Sequence, residues 1–193
     1  MPPRRCDNSS RMPAKRAMLD EAALMEYAGR LLSGRAYSSG EIREKLRRRA
    51  ARPGDVDNVV ANLRRLGYLN DRGFAENFAA ARLENEGQGR TRVLRDLRQR
   101  RVAPAVAEAA VDRTYKDQDE VALIEAFLAR KFRGRNLGTM LAEQKHLVSA
   151  WRRLRYAGFS TGNSLRVLKR YAADEASLDA LEGEPDSAPE TEL

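Results

Sequence analysis

Histidine and cysteine, the side chains that most often supply a catalytic base, a nucleophile or a metal ligand, are few and lie far apart in this sequence. The chain has one histidine, His146, and one cysteine, Cys6. A catalytic or metal site brings several such side chains together, usually with carboxylates, and no such pattern surrounds either residue. The glycine-containing stretches EGQGRTR and RGRNLG lack the lysine and following Ser or Thr of a nucleotide-binding P-loop. We therefore expect no enzyme activity, no metal and no cofactor, and we expect His146 to be a surface or capping residue.

Arginine is the residue type whose abundance indicates a function. The chain has 36 Lys and Arg against 28 Asp and Glu, a net charge of +8. Eight of the acids lie in residues 174–193, which contain no Lys or Arg, so the remainder carries a net charge of about +16. A field of this sign attracts polyanions. We expect the acidic segment to compete with such polyanions for the basic surface.

The arginines are concentrated in three segments that also have helical apolar spacing. A guanidinium group can donate two hydrogen bonds to one phosphate or carboxylate, and DNA binding gains free energy when counterions are released. We expect these segments to form a ridge that binds DNA phosphates or an acidic protein surface, although any one arginine could instead be a solvated partner of a nearby acid. The predicted ridge consists of Arg43, Arg47, Arg48, Arg92, Arg95, Arg98, Arg152 and Arg153.

The elements that must position these arginines are helices. Ala, Leu, Arg and Glu dominate the composition and only 6% of residues are aromatic, so we predict an all-α fold without a substantial sheet. In the stretch SSGE, Ser38 and Glu41 have the spacing of a capping box. This predicts a helix from Ser38 to about Arg49, with Ile42 and Leu46 facing inward.

The next helix is predicted to be capped by Asp55 and to end at Gly67, with Tyr68 folding back on its last turn. Asn70 or Asp71 should cap the helix that follows. The predicted inward side chains of these two helices are Val56, Val59, Val60, Leu63 and Leu66, and then Phe74, Phe78 and Ala81.

The apolar spacing recurs when Ala51, Val102 and Phe159 are aligned as equivalent positions. Agreement across two helices and the turn between them indicates a structural repeat rather than a chance match. Thr114 is the one polar residue among the fifteen aligned positions. These are Ile42, Val93 and Ala150 nine residues before; Leu46, Leu97 and Leu154 five before; Val59, Ala110 and Val167 eight after; Val60, Val111 and Leu168 nine after; and Leu63, Thr114 and Tyr171 twelve after.

Each aligned pair of helices has a leading helix before it, at about 18–33, 71–86 and 119–132. Three small helical units can share interfaces in a row, so we predict an elongated or curved array of three tandem three-helix repeats. The predicted domains are a disordered basic leader at 1–17, repeats at 18–69, 70–116 and 117–173, and a disordered acidic tail at 174–193.

Four stretches in this order resemble RecX proteins, the regulators of the RecA recombinase: LLSGRAYSSGEIREKL, GYLNDRGFAENFAAARL, GQGRTRVLRDLRQRRV and RRLRYAGFSTGNSLRVLKRY. The resemblance extends over about residues 20–172, and its most specific part is Gly67 to Arg82. It implies a tandem three-helix fold that binds the RecA filament on single-stranded DNA and limits recombinase, ATPase and coprotease activities. The turn Arg100-Arg101-Val102 departs from the family pattern because it lacks the usual glycine.

Two alternatives to filament binding are compatible with the residues. The chain could bind single-stranded nucleic acid in general, or it could be a metal-dependent hydrolase, for which the ligands are missing. The leader has no signal-peptide core, and no run of 18 apolar residues occurs, so we expect a cytoplasmic monomer with no membrane partner.

Overall fold

The computed structural model describes residues 18–172, and this part of the chain is helical. Its one β-type pairing is an isolated bridge between Leu19 and Ala50. The predicted leader and acidic tail lie outside the described residues. The helices are α1 (Glu21–Gly34), α2 (Ser39–Arg47), α3 (Pro53–Arg65), α4 (Asp71–Ala81), α5 (Arg90–Gln99), α6 (Pro104–Tyr115), α7 (Glu120–Lys131), α8 (Leu137–Leu141), α9 (Gln144–Ala157) and α10 (Thr161–Leu168), with a π-helical segment (Arg82–Glu86) after α4.

The described chain divides into two compact units. The first unit contains residues up to 36 and 41–69, and the second contains residues 37–40 and everything from 70 onward. In the first unit, helices α1, α2 and α3 contribute the apolar side chains that are fully or nearly fully buried: Leu24, Ala28, Ile42, Leu46, Val56, Val59, Val60 and Leu63. The predicted inward positions Ile42 and Leu46 are confirmed.

Helix α3 begins three residues earlier than predicted, with Arg52 rather than Asp55 at the cap position. Pro53 occupies the first helical position, where its fixed φ suits a helix and its missing N–H costs nothing. Asp55 lies in the first turn, and its Oδ2 is 3.2 Å from Nε of Arg52. The proline therefore determined this start, while the carboxylate pairs with the residue before the helix.

The end of α3 also differs from the predicted side-chain packing. Gly67 has a φ of 78°, and the N–H of Tyr68 donates to the carbonyl of Leu63 at 2.9 Å, which closes a Schellman motif. The side chains of Leu66 and Tyr68 are 51% and 66% exposed, whereas Leu69 is buried. The predicted inward position of Leu66 and the fold-back of the Tyr68 side chain are wrong, because the left-handed turn directs Leu69 to the core.

Helix α4 packs in the second unit through its alanines. Asn70 is the cap, with its side-chain oxygen accepting a hydrogen bond from the N–H of Gly73 at 3.0 Å. Ala81 is exposed rather than buried, and Phe74 and Phe78 are only half-buried and stack with centroids 6.2 Å apart. The core shared by α4, α5 and α6 consists of Ala75, Ala79, Val93, Leu97, Val102, Ala107, Ala110 and Val111.

A second core in the same unit is built by α7, α8, α9 and α10. Trp151 is 5% exposed within it, which supports packing rather than base stacking for this residue. The insert before α9 carries the short helix α8, whose Met140 and Leu141 join this core. Its other principal members are Ile124, Phe127, Leu128, Leu147, Ala150, Leu154, Phe159, Val167 and Leu168.

The burial of aligned positions follows the predicted period. Twelve of the aligned residues lie nine or five positions before Ala51, Val102 and Phe159, or eight or nine positions after them. All twelve side chains are at most 1% exposed. Ala51 itself is exposed, and Ala50 is buried in its place. The Ala51 N–H donates to the carbonyl of Leu19 at 2.8 Å, so pairing with the chain before α1 sets the direction of this turn.

The turn Arg100-Arg101-Val102 adopts a left-handed conformation although it contains no glycine. Arg101 has a φ of 57° and is the only non-glycine residue with positive φ among residues 18–172. The aligned residue before α10 is Gly158, with a φ of 86°. A side chain in this region costs about 1 to 2 kcal/mol, so Arg101 carries a local strain that Gly158 avoids.

Backbone hydrogen bonds join the start of α5 to the turn between α9 and α10. The N–H of Gly89 donates to the carbonyl of Ala157 at 2.7 Å, and that of Thr91 donates to the carbonyl of Gly158 at 3.1 Å. A Cβ atom on Gly158 would overlap the backbone nitrogen of Arg92, and one on Gly89 would overlap the carbonyl oxygen of Gly158. The absence of side chains at both positions permits this close approach.

We predict that Gly158→Ala lowers the free energy of unfolding by about 3 kcal/mol, because it combines left-handed strain with overlap against Arg92. The matched control is Gly134→Ala, which has a φ of 81° but open space around the new Cβ and should cost about 1 to 2 kcal/mol. Urea unfolding of both variants measures the difference. Equal losses would contradict the close approach.

Glu120 connects the first turn of α7 to the start of α10. Its carboxylate accepts hydrogen bonds from the N–H of Ser160 at 2.8 Å and from Nδ2 of Asn163 at 2.5 Å. Burial alone would raise the pKa of Glu120, but the hydrogen bonds from Ser160 and Asn163 outweigh it, and the pKa is lowered. The ionised carboxylate therefore favours the folded state.

We predict that Glu120→Gln destabilises the protein at neutral pH and that this difference disappears in acid. A lowered folded pKa gives stability that is present above the unfolded value of about 4.3 and is lost as pH falls through the folded pKa. Urea unfolding at a series of pH values checks this. Glu125→Gln, which removes an exposed pair with Arg170, is the control and should have little effect. A Glu120→Gln effect that persists unchanged in acid would contradict the assignment.

Candidate anion-binding cleft

A basic cleft lies in the second unit, bordered by the π-helical segment, α5, α7 and α9. It has a volume of about 630 Å³. Its floor includes the apolar side chains of Phe127, Val148 and Ala157. Six basic residues and one acidic residue, Glu86, contribute to its lining; the basic ones are Arg92, Arg130, Lys131, Lys145, Arg152 and Arg153. We call this feature the basic cleft.

Arg130 is held against the wall of the cleft by backbone carbonyls. Its guanidinium donates to the carbonyl of Asn85 at 3.3 Å and also to the carbonyl of Glu86. These are the last residues of the π-helical segment, where carbonyl groups lack helical partners. The segment ends at Gly87 in a left-handed conformation, next to the same guanidinium. Arg130 thus has a defined position rather than a freely moving side chain.

Arg92 connects α5 to the exposed ring of Tyr156 on α9. Its Nε lies 3.1 Å from Oδ1 of Asp96, and its guanidinium carbon lies 4.4 Å from the centroid of the tyrosine ring. Arg95 contacts the backbone of the same tyrosine: its guanidinium donates to the carbonyl of Tyr156 at 3.4 Å. A hydrogen bond from Arg92, together with its charge, lowers the pKa of the Tyr156 hydroxyl. The tyrosine is 47% exposed at the cleft and is flanked by two cations.

Two further cations sit over aromatic or acidic partners at the cleft. The guanidinium carbon of Arg153 lies 5.7 Å from the ring centroid of Phe132, and Nζ of Lys145 lies 3.2 Å from a carboxylate oxygen of Glu143. Both side chains are exposed, so these contacts contribute little stability and leave the charges available to a larger ligand. Arg152 completes this wall from α9.

The predicted ridge is brought together only in part. Arg92, Arg152 and Arg153 line the basic cleft, and Arg95 lies beside it at Tyr156. Arg98 is 3.8 Å from Glu108 and does not line the cleft. In the first unit, Arg43 pairs with Asp57, Arg48 pairs with Glu44, and Arg47 is exposed. The assignment of all eight residues to one binding surface stays a prediction.

Sequence reasoning missed three cations of the basic cleft. Arg130 and Lys131 lie in the last turn of α7, and Lys145 lies in the first turn of α9. The predicted ridge contains only arginines of the second helix of each repeat, so these three residues are not part of it. The adjacent basic pair Arg130-Lys131 at the end of the third leading helix was the available signal. Cations at this end of a helix also interact favourably with the helix dipole, so the pair has a structural explanation as well.

The cleft has the chemistry of a binding site for an extended anion. Its cations can contact several phosphates or carboxylates, and its exposed tyrosine offers a ring face for stacking. His146, outside it, lies 3.7 Å from a carboxylate oxygen of Glu143. Within residues 18–172 no group of three or more His, Cys, Asp or Glu is arranged to hold a metal ion. None of the helices described is long and apolar enough to cross a membrane.

The helical arrangement defines the chain as a protein of tandem three-helix domains. Residues 25–63 match the model of the first three-helix domain of RecX, and residues 70–111 match that of the second. The regulatory protein RecX of Halorhodospira halophila is 34% identical over 154 residues, which cover 79% of this chain and 89% of that protein. RecX of Mannheimia succiniciproducens is 35% identical over 107 residues, 55% of this chain and 68% of that one.

The chain belongs to the RecX family of regulatory proteins. A crystal structure of a regulatory protein RecX shares the fold, with a TM-score of 0.56 and 18% identity, over 77% of this chain and 73% of that one. The predicted family and the predicted all-helical class are therefore confirmed.

We predict that Arg92→Gln raises the pKa of Tyr156, because it removes the hydrogen bond and the charge that stabilise the phenolate. Tyrosine labelled with ¹³C at Cζ reports each titration by NMR, and Tyr156→Phe identifies the signal. Burial raises the pKa of Tyr115 to about 12, so its signal should titrate at a higher pH than that of Tyr156. The Tyr115 titration should be the same in the Arg92→Gln variant.

The matched control for this titration is Arg98→Gln, which removes an arginine from the same helix outside the cleft. It should leave the pKa of Tyr156 where it is in the unsubstituted protein. A Tyr156 titration that is the same with and without Arg92 would contradict the contact between the two side chains.

Proposed function

We propose that this chain binds the RecA filament on single-stranded DNA and limits its recombinase, ATPase and coprotease activities. Membership of a regulatory family supports the class of function. The basic cleft supports the mode, because it offers six cations to the phosphates of a filament-bound strand or to acidic protein side chains. The effect is produced by noncovalent binding in the cytoplasm, without a cofactor or a reaction of its own.

The organisation that goes with this function is three three-helix repeats at 18–69, 70–116 and 117–173, acting as a monomer. The recurrence of buried positions at the aligned spacings supports the count. In each repeat the basic second helix is the element we assign to the partner, and in the second and third repeats these helices, α5 and α9, both border the cleft.

A general affinity for single-stranded nucleic acid is the second candidate function. The exposed ring of Tyr156 between Arg92 and Arg95 favours it, because stacking and cation contacts bind any sequence. Contact with about six phosphates would give a slope near −4 when the logarithm of affinity is plotted against that of salt concentration. Anisotropy titrations with naked DNA, free RecA and assembled filament separate the candidates, since preference for the filament is expected only for the first.

We predict that Lys131→Glu, Arg152→Glu and Arg153→Glu together weaken binding to the RecA filament by at least about tenfold, because they reverse half of the cations of the cleft. The readout is inhibition of RecA ATPase on single-stranded DNA. The unsubstituted protein at equimolar ratio should lower the turnover, and the triple variant should need a correspondingly higher concentration.

The matched control reverses Lys116, Arg166 and Lys169, which are exposed and do not line the cleft. It changes the net charge by the same amount, so any equal loss would reflect overall charge. Equal inhibition by the cleft variant, the control variant and the unsubstituted protein would remove the cleft from the interface. No effect of the unsubstituted protein on its cognate RecA would overturn the proposed function itself.

A further inference from the structure

We propose that the acidic segment 174–193 of this chain binds in the basic cleft and competes there with nucleic acid. The segment would act as an internal occupant that a DNA strand must displace. This inference deepens the proposed function, because it concerns regulation of the same cleft. It also makes predictions for the isolated protein that do not depend on RecA.

The charges of the two parts are complementary. The basic cleft carries six cations and one carboxylate in its lining. The segment DEASLDALEGEPDSAPETEL carries eight carboxylates and no cation. Lys131, Arg152 and Arg153 are exposed, so a carboxylate can reach them without a desolvation cost like that of a buried pair. Several such pairs acting together favour binding more than one exposed pair does.

The apolar residues of the two parts are complementary as well. Phe127 and Val148 contribute apolar surface to the lining of the cleft. In the segment, Leu178 and Leu181 stand next to Asp179 and Glu182, so apolar and acidic side chains alternate closely. A ligand with both properties fits a basic cleft with an apolar floor better than a purely charged one does.

The segment can reach the cleft from where the described chain ends. Tyr171 and Ala172 pack against the core that also contains Phe127 of the cleft. Twenty residues span at most about 70 Å when extended, whereas a folded body of about 100 residues has a radius of gyration of about 13 Å. A short tether also raises the effective concentration of the segment to the millimolar range. Weak pairing is then sufficient for substantial occupancy.

Carbodiimide cross-linking of the full chain tests the contact directly, because it joins a carboxylate to a lysine amine that it touches. Lys131 and Lys145 line the cleft, while Lys45 and Lys116 do not and serve as internal controls. We expect mass spectrometry to find the acidic segment joined mainly to the two cleft lysines at low salt, with this preference lost at 0.5 M salt as screening increases. Equal yields at Lys45 and Lys116 would overturn the proposal.

A competition experiment tests the consequence. In the full chain, the eight acids of the segment are replaced by their amides, Asp by Asn and Glu by Gln. We expect binding to a naked single strand to tighten about tenfold in low salt, and we expect no such gain when Lys131→Glu, Arg152→Glu and Arg153→Glu are also present. An unchanged affinity, or an equal gain in both backgrounds, would show that the segment acts elsewhere or through net charge alone.

Failure of this inference and failure of the proposed function are distinguishable. If the segment does not occupy the cleft, cross-links form equally at cleft and control lysines, and amide replacement does not tighten naked-strand binding through the cleft. The filament assay still responds to reversal of the cleft charges. If the chain does not regulate RecA, the filament assay is silent, while cross-links to Lys131 and Lys145 still form.

Discussion

The close backbone approach between the start of α5 and the turn before α10 is the constraint on which the basic cleft depends. Two hydrogen bonds from Gly89 and Thr91 to the carbonyls of Ala157 and Gly158 hold these segments together. The contact is possible because neither Gly89 nor Gly158 has a side chain where the backbones meet. It places Arg92 on α5 against Tyr156 on α9, and thereby one wall of the cleft against another. The position of these two side chains therefore follows from backbone packing.

The cations of the cleft include side chains held by partners within the protein and side chains exposed to solvent. Arg92 and Arg130 are directed by partners within the protein, Asp96 and Tyr156 for the first and backbone carbonyls for the second. Lys131 and Arg152 are exposed on the neighbouring wall. Oriented groups lose less conformational entropy on binding, whereas exposed groups adapt to the ligand. We expect this combination to suit a flexible strand or an acidic peptide better than a small rigid anion, and we expect salt to weaken such binding.

Much of the helical core could be predicted because the buried residues recur at the spacing that places side chains on one face of a helix. The aligned residues Leu46, Leu97 and Leu154 are all fully buried, as the spacing required. Errors occurred where local chemistry competed with that pattern. Pro53 started α3 ahead of the expected cap at Asp55, and the left-handed turn at Gly67 put Leu69 in the core instead of Leu66. In α4 the small alanines were buried because helices approach closely there, leaving Phe74 and Phe78 at the edge.

The sequence by itself determined the helical class, the period of the buried positions, the excess of positive charge and the likeness to RecX. These properties depend on residue type and spacing along the chain, which are local. Only the tertiary structure decided which cations share a surface. It joined Arg92, Arg152 and Arg153 with Arg130, Lys131 and Lys145, and it turned Arg98 toward Glu108 outside the cleft. Which side chains of different helices meet depends on how those helices pack, and here that was set by two glycine backbones rather than by the arginines themselves.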